Sequence, residues 1–108
     1  MIEQSWSKKE KAIARRAFEG AYGKECKDLT KQIKKRASEA KGPADIWRLH
    51  DFLTKRIKEI ENKYDYRYSV LILVFARLMK EGWITVDEME GLSEDKISKI
   101  RRLAEGLI

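Results

Sequence analysis

The sequence predicts an all-α protein, and three observations support this fold class. Lysine and glutamate alternate at helical spacing in a chain of which charged residues make up 39%. Glycine and proline, which interrupt helices, number only 6 and 1 among the 108 residues. Capping boxes, which open helices, occur at Ser7 and Thr85, each with glutamate three residues later. The length corresponds to a single domain over residues 1–108.

The first helix is predicted to begin after Ser7, whose hydroxyl can accept from the amide of Glu10. Its apolar positions recur in steps of four or eight residues: Ile13, Ala17, Ala21, Leu29, Ile33 and Ala37. Gly20 and Gly23 each cost roughly 1 kcal/mol against alanine, so a bend near residue 23 is an open alternative. A continuous helix from 8 to about 40 would be about 50 Å long. Such a helix needs a partner along its length, which favours a dimer.

Gly42 and Pro43 end the first helix, and Pro43 can open a second one that extends to about residue 64. The apolar residues of this helix form one stripe at spacings of three and four: Ile46, Leu49, Leu53, Ile57, Ile60 and Tyr64. An adjacent face, about 100° away, carries Trp47, His50, Asp51 and Thr54. The helix therefore has two candidate faces, one for the core and one for a partner.

The C-terminal part is predicted to hold three shorter helices after an aromatic joint at residues 63–69. The first covers about 69–80, where the run Val70–Ala76 is apolar on every side and must be covered or leave an exposed patch. A strand is the competing interpretation of this run, and within it Leu73 and Phe75 are expected in the core. Thr85 opens a short helix that Gly91 stops, and Ser93 caps the last helix. Its expected buried face consists of Ile97, Ile100, Leu103, Ala104 and Leu107.

The net charge of +6 lies entirely in residues 1–43, because the remainder of the chain balances. Such a segment can attract an acidic partner, nucleic acid or an anionic membrane, although a solvated helix face is the simpler interpretation. Residues 84–103 loosely resemble a helix-turn-helix. The second of these helices, however, opens with Ser93, Glu94 and Asp95, whose charges would repel phosphate where bases are read.

The residues that catalysis and metal binding require are too few. Cys26 and His50 are the only residues of their types, so no disulfide can form within the chain and a nucleophile–base pair would need a tertiary coincidence. No glycine-rich phosphate loop is present. We therefore expect no enzymatic activity, no metal and no cofactor. The lone cysteine and the absence of a signal peptide indicate the cytoplasm, and no segment reaches the ~20 apolar residues of a membrane span.

Trp47, His50 and Asp51 have two interpretations that the residues alone leave open. One is an exposed helix surface in which a histidine is satisfied by a neighbouring carboxylate. The other is an interface anchored by Trp47, since tryptophan beside charged groups dominates binding energy at many interfaces.

Motifs across residues 44–103 together resemble one known family. They are Trp47–Leu53 (WRLHDFL), Lys63–Asp65 (KYD), Ser69–Ala76 (SVLILVFA) and Lys80–Gly82 (KEG), continuing through Glu88, Leu92, Asp95, Lys96, Lys99 and Ile100. In the first helix only the Trp-Ser start and the spacing of Phe18, Ala21 and Tyr22 correspond. This pattern is similar to that of the fluorescence recovery protein of cyanobacteria, and the WxLHDFL string followed by KYD is fairly specific.

The resemblance implies an all-helical homodimer that binds photoactivated orange carotenoid protein and hastens its return to the resting orange form, which restores phycobilisome fluorescence. It implies a dimerisation part, residues 1–65, and a C-terminal head, residues 66–108. The implied dimer interface contains Ile46, Trp47, Leu49 and Leu53. The implied partner-binding residues are Trp47, His50 and Asp51, with Leu73 and Lys99 in the head. Any thylakoid association would be through the partner.

Two positions depart from this pattern, because Ile57 stands where an arginine is expected and Leu73 where an aromatic is expected. Two other functions therefore stay open. One is a related dimeric adaptor with a different signalling partner, in a bacterium without the carotenoid protein. The other is a small nucleic-acid-binding protein that uses the basic first helix, whose binding would weaken steeply with salt.

Overall fold

The computed structural model describes residues 5–106, and all regular secondary structure in that range is helical. The helices are α1 (Lys8–Glu39), α2 (Pro43–Lys63), α3 (Leu71–Lys80), a 3₁₀ turn (Asp87–Met89) and α4 (Glu94–Gly106). This confirms the all-α fold class and excludes a strand at 70–76. The molecule is elongated, with principal extents of 53 × 24 × 22 Å. Leu107, predicted on the buried face of the last helix, lies outside the described residues.

Helix α1 is uninterrupted, so Gly20 and Gly23 do not break it. Ser7 forms the predicted capping box: its hydroxyl accepts from the Glu10 amide at 3.1 Å, and its own amide donates to the Glu10 carboxylate at 3.1 Å. Helix α2 returns antiparallel to α1 after the loop at residues 40–42, with Pro43 in its first turn as predicted. The two helices form a hairpin that accounts for the length of the molecule.

The hydrophobic core lies at one end of the molecule, where residues 66–106 pack against the first half of α1. Helix α1 contributes Ile13, Ala14, Ala17 and Ala21. The facing residues are 2% exposed or less: Leu71, Phe75, Leu78, Ile84, Met89 and Ile100. Phe75 is thus a core residue as predicted, but Leu73 is 57% exposed, so its placement in the core was wrong. The covered side of α3 contains Leu71, Val74, Phe75 and Leu78, and Leu73 points away from it.

Leu103 is also more exposed than predicted, at 39%, because the side of α4 that packs against the core is centred on Ile100 and Ala104. The short helix expected after Thr85 is a single 3₁₀ turn. Its opening keeps the predicted capping chemistry, since the Thr85 amide donates to Glu88 Oε1 at 2.9 Å. Without a first full helix, the loose resemblance to a helix-turn-helix disappears.

Two glycines with positive φ shape the turns of this C-terminal part. Gly82, at φ +86°, ends α3 in a Schellman motif in which the Trp83 amide donates to the Leu78 carbonyl at 2.8 Å. Gly91, at φ +104°, follows the 3₁₀ turn and lies directly against α1. A Cβ at Gly91 would be 2.4 Å from Cδ1 of Ile13, so the Ile13 side chain would have to move, and the positive φ itself favours glycine.

A buried carboxylate, Glu25, connects the hairpin to the C-terminal part. It is 1% exposed and accepts from Nζ of Lys63 at 2.7 Å and from the hydroxyl of Tyr64 at 2.8 Å. Arg56 of α2 adds a contact at 3.3 Å. Lys63 also donates to Glu81 at the end of α3, at 2.6 Å. Burial of Tyr64, and then its hydrogen bond to Glu25, raise the pKa of the Tyr64 phenol well above its ordinary value.

A second buried acid, Glu10, connects α4 to α1. The Ser93 amide donates to its Oε2 at 2.8 Å, and Nζ of Lys96 lies 3.1 Å from its Oε1. Burial opposes ionisation of Glu10. The hydrogen bonds from the amides of Ser7 and Ser93, together with Lys96, outweigh burial and hold the pKa of the Glu10 carboxyl below its ordinary value of 4.5.

Substituting Gly91 by alanine should destabilise the protein by about 2 kcal/mol, because the new methyl group would meet Ile13 at a strained φ. Gly23→Ala is the matched control, since a Cβ there meets nothing within 4 Å. It should stabilise α1 by roughly 0.5–1 kcal/mol. Urea unfolding followed by circular dichroism measures both, and an unchanged free energy of unfolding for Gly91→Ala would contradict the close packing.

Substituting Lys63 by methionine should cost about 3 kcal/mol, because it leaves the Glu25 charge buried with only Tyr64 and Arg56 as partners. Lys58→Met, at an exposed position of the same helix, should change stability by less than about 0.5 kcal/mol. Thermal and urea unfolding of the two variants make the comparison. Equal losses would mean that the Glu25 network does not hold the hairpin to the C-terminal part.

Candidate interaction surface

Helix α2 buries one side against α1 and exposes the other. Ile60 is 6% exposed, and the guanidinium of Arg36 lies 3.8 Å from the ring centroid of Phe52 on the buried side. On the outer side, Ile46 is 56%, Trp47 66% and Ile57 43% exposed. The single apolar stripe predicted for α2 is therefore split between two environments, because α1 covers only part of it.

Helix α1 extends this exposed apolar surface. Tyr22 is 46% exposed and its ring packs edge-on against Tyr64 at the end of α2, with centroids 5.1 Å apart. At 100° per residue, Cys26 and Ile33 lie on the same side of α1 as Tyr22. On α2, Leu53 is half-buried beside Ile46 and Ile57, as Cys26 and Ile33 are on α1. We call the following residues the outer apolar face: Tyr22, Cys26, Ile33, Ile46, Trp47, Leu53 and Ile57. An exposed apolar surface of this kind is typical of a protein–protein interface.

Trp47, His50 and Asp51 lie together at the margin of the outer apolar face. The His50 and Asp51 side chains are 69% and 82% exposed, and Nδ1 of His50 lies 3.3 Å from Oδ1 of Asp51. The histidine is therefore beside a carboxylate in solvent. All three side chains are exposed to solvent, so they are available to a partner and none of them belongs to the core.

Leu73 and Lys99 belong to a different part of the molecule. Both are on the helices of the C-terminal part, where Lys99 pairs with Asp95 at 3.3 Å across one turn of α4. Trp47, by contrast, lies about 24 Å along α2 from Lys63, which marks the junction with that part. The residues predicted to bind a partner thus lie in two separate regions of the chain. Leu49, predicted at the dimer interface, is half-buried and borders a groove with Arg36 and Glu39 of α1.

An aromatic ladder connects α1 to the segment between α2 and α3, and the sequence interpretation missed it. Successive ring centroids are 4.7–5.7 Å apart along the series Trp6, Tyr68, Tyr66, Phe18, Tyr64 and Tyr22. The guanidinium of Arg15 covers Tyr66 at 4.0 Å. The alternation of tyrosine at 64, 66 and 68 could have revealed it, because alternate residues of an extended segment point to one side.

No arrangement typical of catalysis is found among residues 5–106. No group of three or more His, Cys, Asp or Glu side chains there could hold a metal ion. Cys26 lies beside Tyr22 and His50 beside Asp51, so the two do not form a nucleophile–base pair. None of the helices in this range is both long enough and apolar enough to cross a membrane.

The chain is similar to known proteins along most of its length. Residues 6–104 match the family described as photoprotection regulator fluorescence recovery protein. The chain is 43% identical over 102 residues to the fluorescence recovery protein of Synechocystis sp. PCC 6803, covering 94% of each sequence. The solved structure of the Fremyella diplosiphon fluorescence recovery protein is 46% identical, with a TM-score of 0.90 over 94% of this chain and 99% of that one. The Synechocystis structure gives 42% identity and the same TM-score and coverage.

Proposed function

Since the chain belongs to the photoprotection regulator fluorescence recovery protein family, we propose that it binds photoactivated orange carotenoid protein and accelerates its return to the resting orange form. Phycobilisome fluorescence would recover as a result. The observation that carries this proposal is the family match over residues 6–104, which includes both the outer apolar face and the C-terminal head. We expect the protein to act in the cytoplasm, reaching the thylakoid only through its partner.

The proposed action requires binding and no bond-making chemistry. A protein speeds the relaxation of another by binding the transition state between the two conformations more tightly than the starting conformation. Leu73 offers an apolar contact of 57% exposure in the head, and Lys99 offers a cation. Trp47, His50 and Asp51 offer a second contact set on α2. We therefore expect a non-enzymatic regulator.

We also propose that the chain is a homodimer through its outer apolar face. Residues 1–65 would be the dimerisation part, with Ile46, Trp47 and Leu53 at the interface and Leu49 at its edge. Beyond Ala21, the hairpin buries few apolar side chains of its own, namely Leu29 and Ile60. A second copy would cover what α1 and α2 leave exposed, and Ile57 would add apolar area there.

An alternative is a related dimeric adaptor that binds a different signalling partner. Ile57 and Leu73 favour it, because an arginine and an aromatic are expected at these exposed positions in proteins that bind the carotenoid protein. Nucleic-acid binding has less support, since α4 opens with Glu94 and Asp95 and the preceding element is only a 3₁₀ turn.

Ile57→Glu should convert the dimer to monomers, because each interface would then bury two uncompensated charges.

Trp47→Ala should weaken the dimer by about 2 kcal/mol or more, the usual cost of truncating an interface anchor. Lys55→Ala, exposed on another side of α2, is the control. Sedimentation equilibrium of the three variants makes the test, and a wild-type protein that sediments as a monomer would rule out the proposed interface.

When the protein is added at substoichiometric or equimolar amounts, the dark decay of the red form of orange carotenoid protein, followed by absorbance, should be markedly faster. Leu73→Glu should reduce the acceleration without changing the sedimentation of the dimer, because Leu73 lies in the head. Lys80→Glu is a matched control at the exposed end of the same helix. No acceleration by a folded wild-type dimer would reject the carotenoid protein as partner and favour the alternative adaptor.

A further inference from the structure

A row of cations follows the length of α1 on the side away from the outer apolar face. It consists of Lys9, Arg16, Lys24, Lys27, Lys31 and Lys34, all exposed. At 100° per residue they fall within an arc of roughly 80°, and the acidic residues of α1 lie outside that arc. The row is about 38 Å long. We call it the basic row.

Acidic residues of the same chain lie beside the first half of the basic row, where Lys24 makes an ion pair. Nζ of Lys24 lies 2.8 Å from Oε2 of Glu88, and this hydrogen bond is the main reason that the pKa of Glu88 is below its ordinary value. Lys9 and Arg16 share one open groove with Asp87, Glu88 and Glu90. Within the chain, the neighbour of this half of the row is therefore a short segment rich in carboxylates.

The second half of the basic row is left uncovered. Lys27, Lys31 and Lys34 are exposed, and within residues 5–106 none of them makes an ion pair. Their spacing of four and three residues places them on adjacent turns of one helix side. They lie on average about 125° around α1 from Tyr22, Cys26 and Ile33, so a dimer formed through the outer apolar face would leave them accessible.

We propose that Lys27, Lys31 and Lys34 bind an acidic segment of a partner protein. This segment would lie along the second half of the basic row as residues 87–90 lie beside the first half. The uncovered cations are all lysine, which lacks the planar fork with which arginine reads phosphates and bases. The row contains no aromatic side chain on which bases could stack, which disfavours nucleic acid. It contains no apolar side chain that could insert into a lipid surface, which disfavours a membrane.

The test uses a short, labelled helical peptide with glutamates on one face at spacings of four and three residues, and measures its binding by fluorescence anisotropy. The intact chain should bind this peptide, and binding should weaken as salt is raised. K27E/K31E/K34E should weaken binding by about tenfold or more. K8E/K55E/K58E carries the same change in net charge at exposed positions outside the row, and it should weaken binding by less than about threefold.

Three results would overturn the proposal. The peptide could fail to bind the intact chain at low salt, or both triple variants could lose affinity equally, which would indicate only an effect of net charge. A short DNA duplex, or vesicles of phosphatidylglycerol and phosphatidylcholine, could also bind the uncovered half more tightly than the peptide at equal charge. Circular dichroism checks that both variants are folded. Dimerisation and red-form decay do not enter this assay, so its failure would leave the proposed function untouched.

Discussion

The relative placement of α1, α2 and the C-terminal part depends on the hydrogen bonds and ion pairs of one buried carboxylate, that of Glu25. A charge that is 1% exposed must be matched by hydrogen bonds and an opposite charge, or it would greatly destabilise the fold. Lys63 provides that charge and contacts Glu81 as well, so α1, α2 and the end of α3 meet at one point. The hairpin cannot slide along its own axis without breaking this set of bonds, which gives the molecule one register.

The hydrophobic core and the exposed side chains of Ile46 and Trp47 lie at opposite ends of the hairpin. The core packs around the first half of α1, where small residues such as Ala14, Ala17 and Ala21 allow the C-terminal part to approach closely. The other end has little core of its own and exposes Ile46 and Trp47 instead. A helix pair with exposed apolar side chains is stabilised when a second protein surface covers them.

Helix α1 serves several surfaces because it is long and has distinct sides. One side packs on the head, a second faces α2, a third carries part of the outer apolar face, and a fourth carries the basic row. Lysine is well suited to this last side, since its flexible stem keeps the charge hydrated while leaving the helix backbone undisturbed. One chain can therefore contact two different surfaces at once without rearrangement of its core.

The sequence by itself located the starts of α1 and α2 and the capped turn at Thr85, although not that this turn stops short of a helix, because these signals are local. The capping boxes at Ser7 and Thr85, the break at Pro43 and the spacing of apolar residues depend only on neighbours within a turn or two. The resemblance in residues 44–103 identified the family for a similar reason, since motifs are read along the chain. The Trp47 cluster could be proposed as a surface because those residues share one side of a helix.

Only the tertiary structure decided which sides are covered. Ile57 and Ile60 belong to one predicted stripe, yet the first is 43% exposed and the second 6%, because coverage depends on where α1 passes. Leu73 is exposed and Phe75 buried for the same reason. The sequence around Glu25 gives no sign that its carboxylate is buried, because its partner Lys63 is 38 residues away along the chain. Such pairings bring together residues far apart along the chain, and helical periodicity contains no information about them.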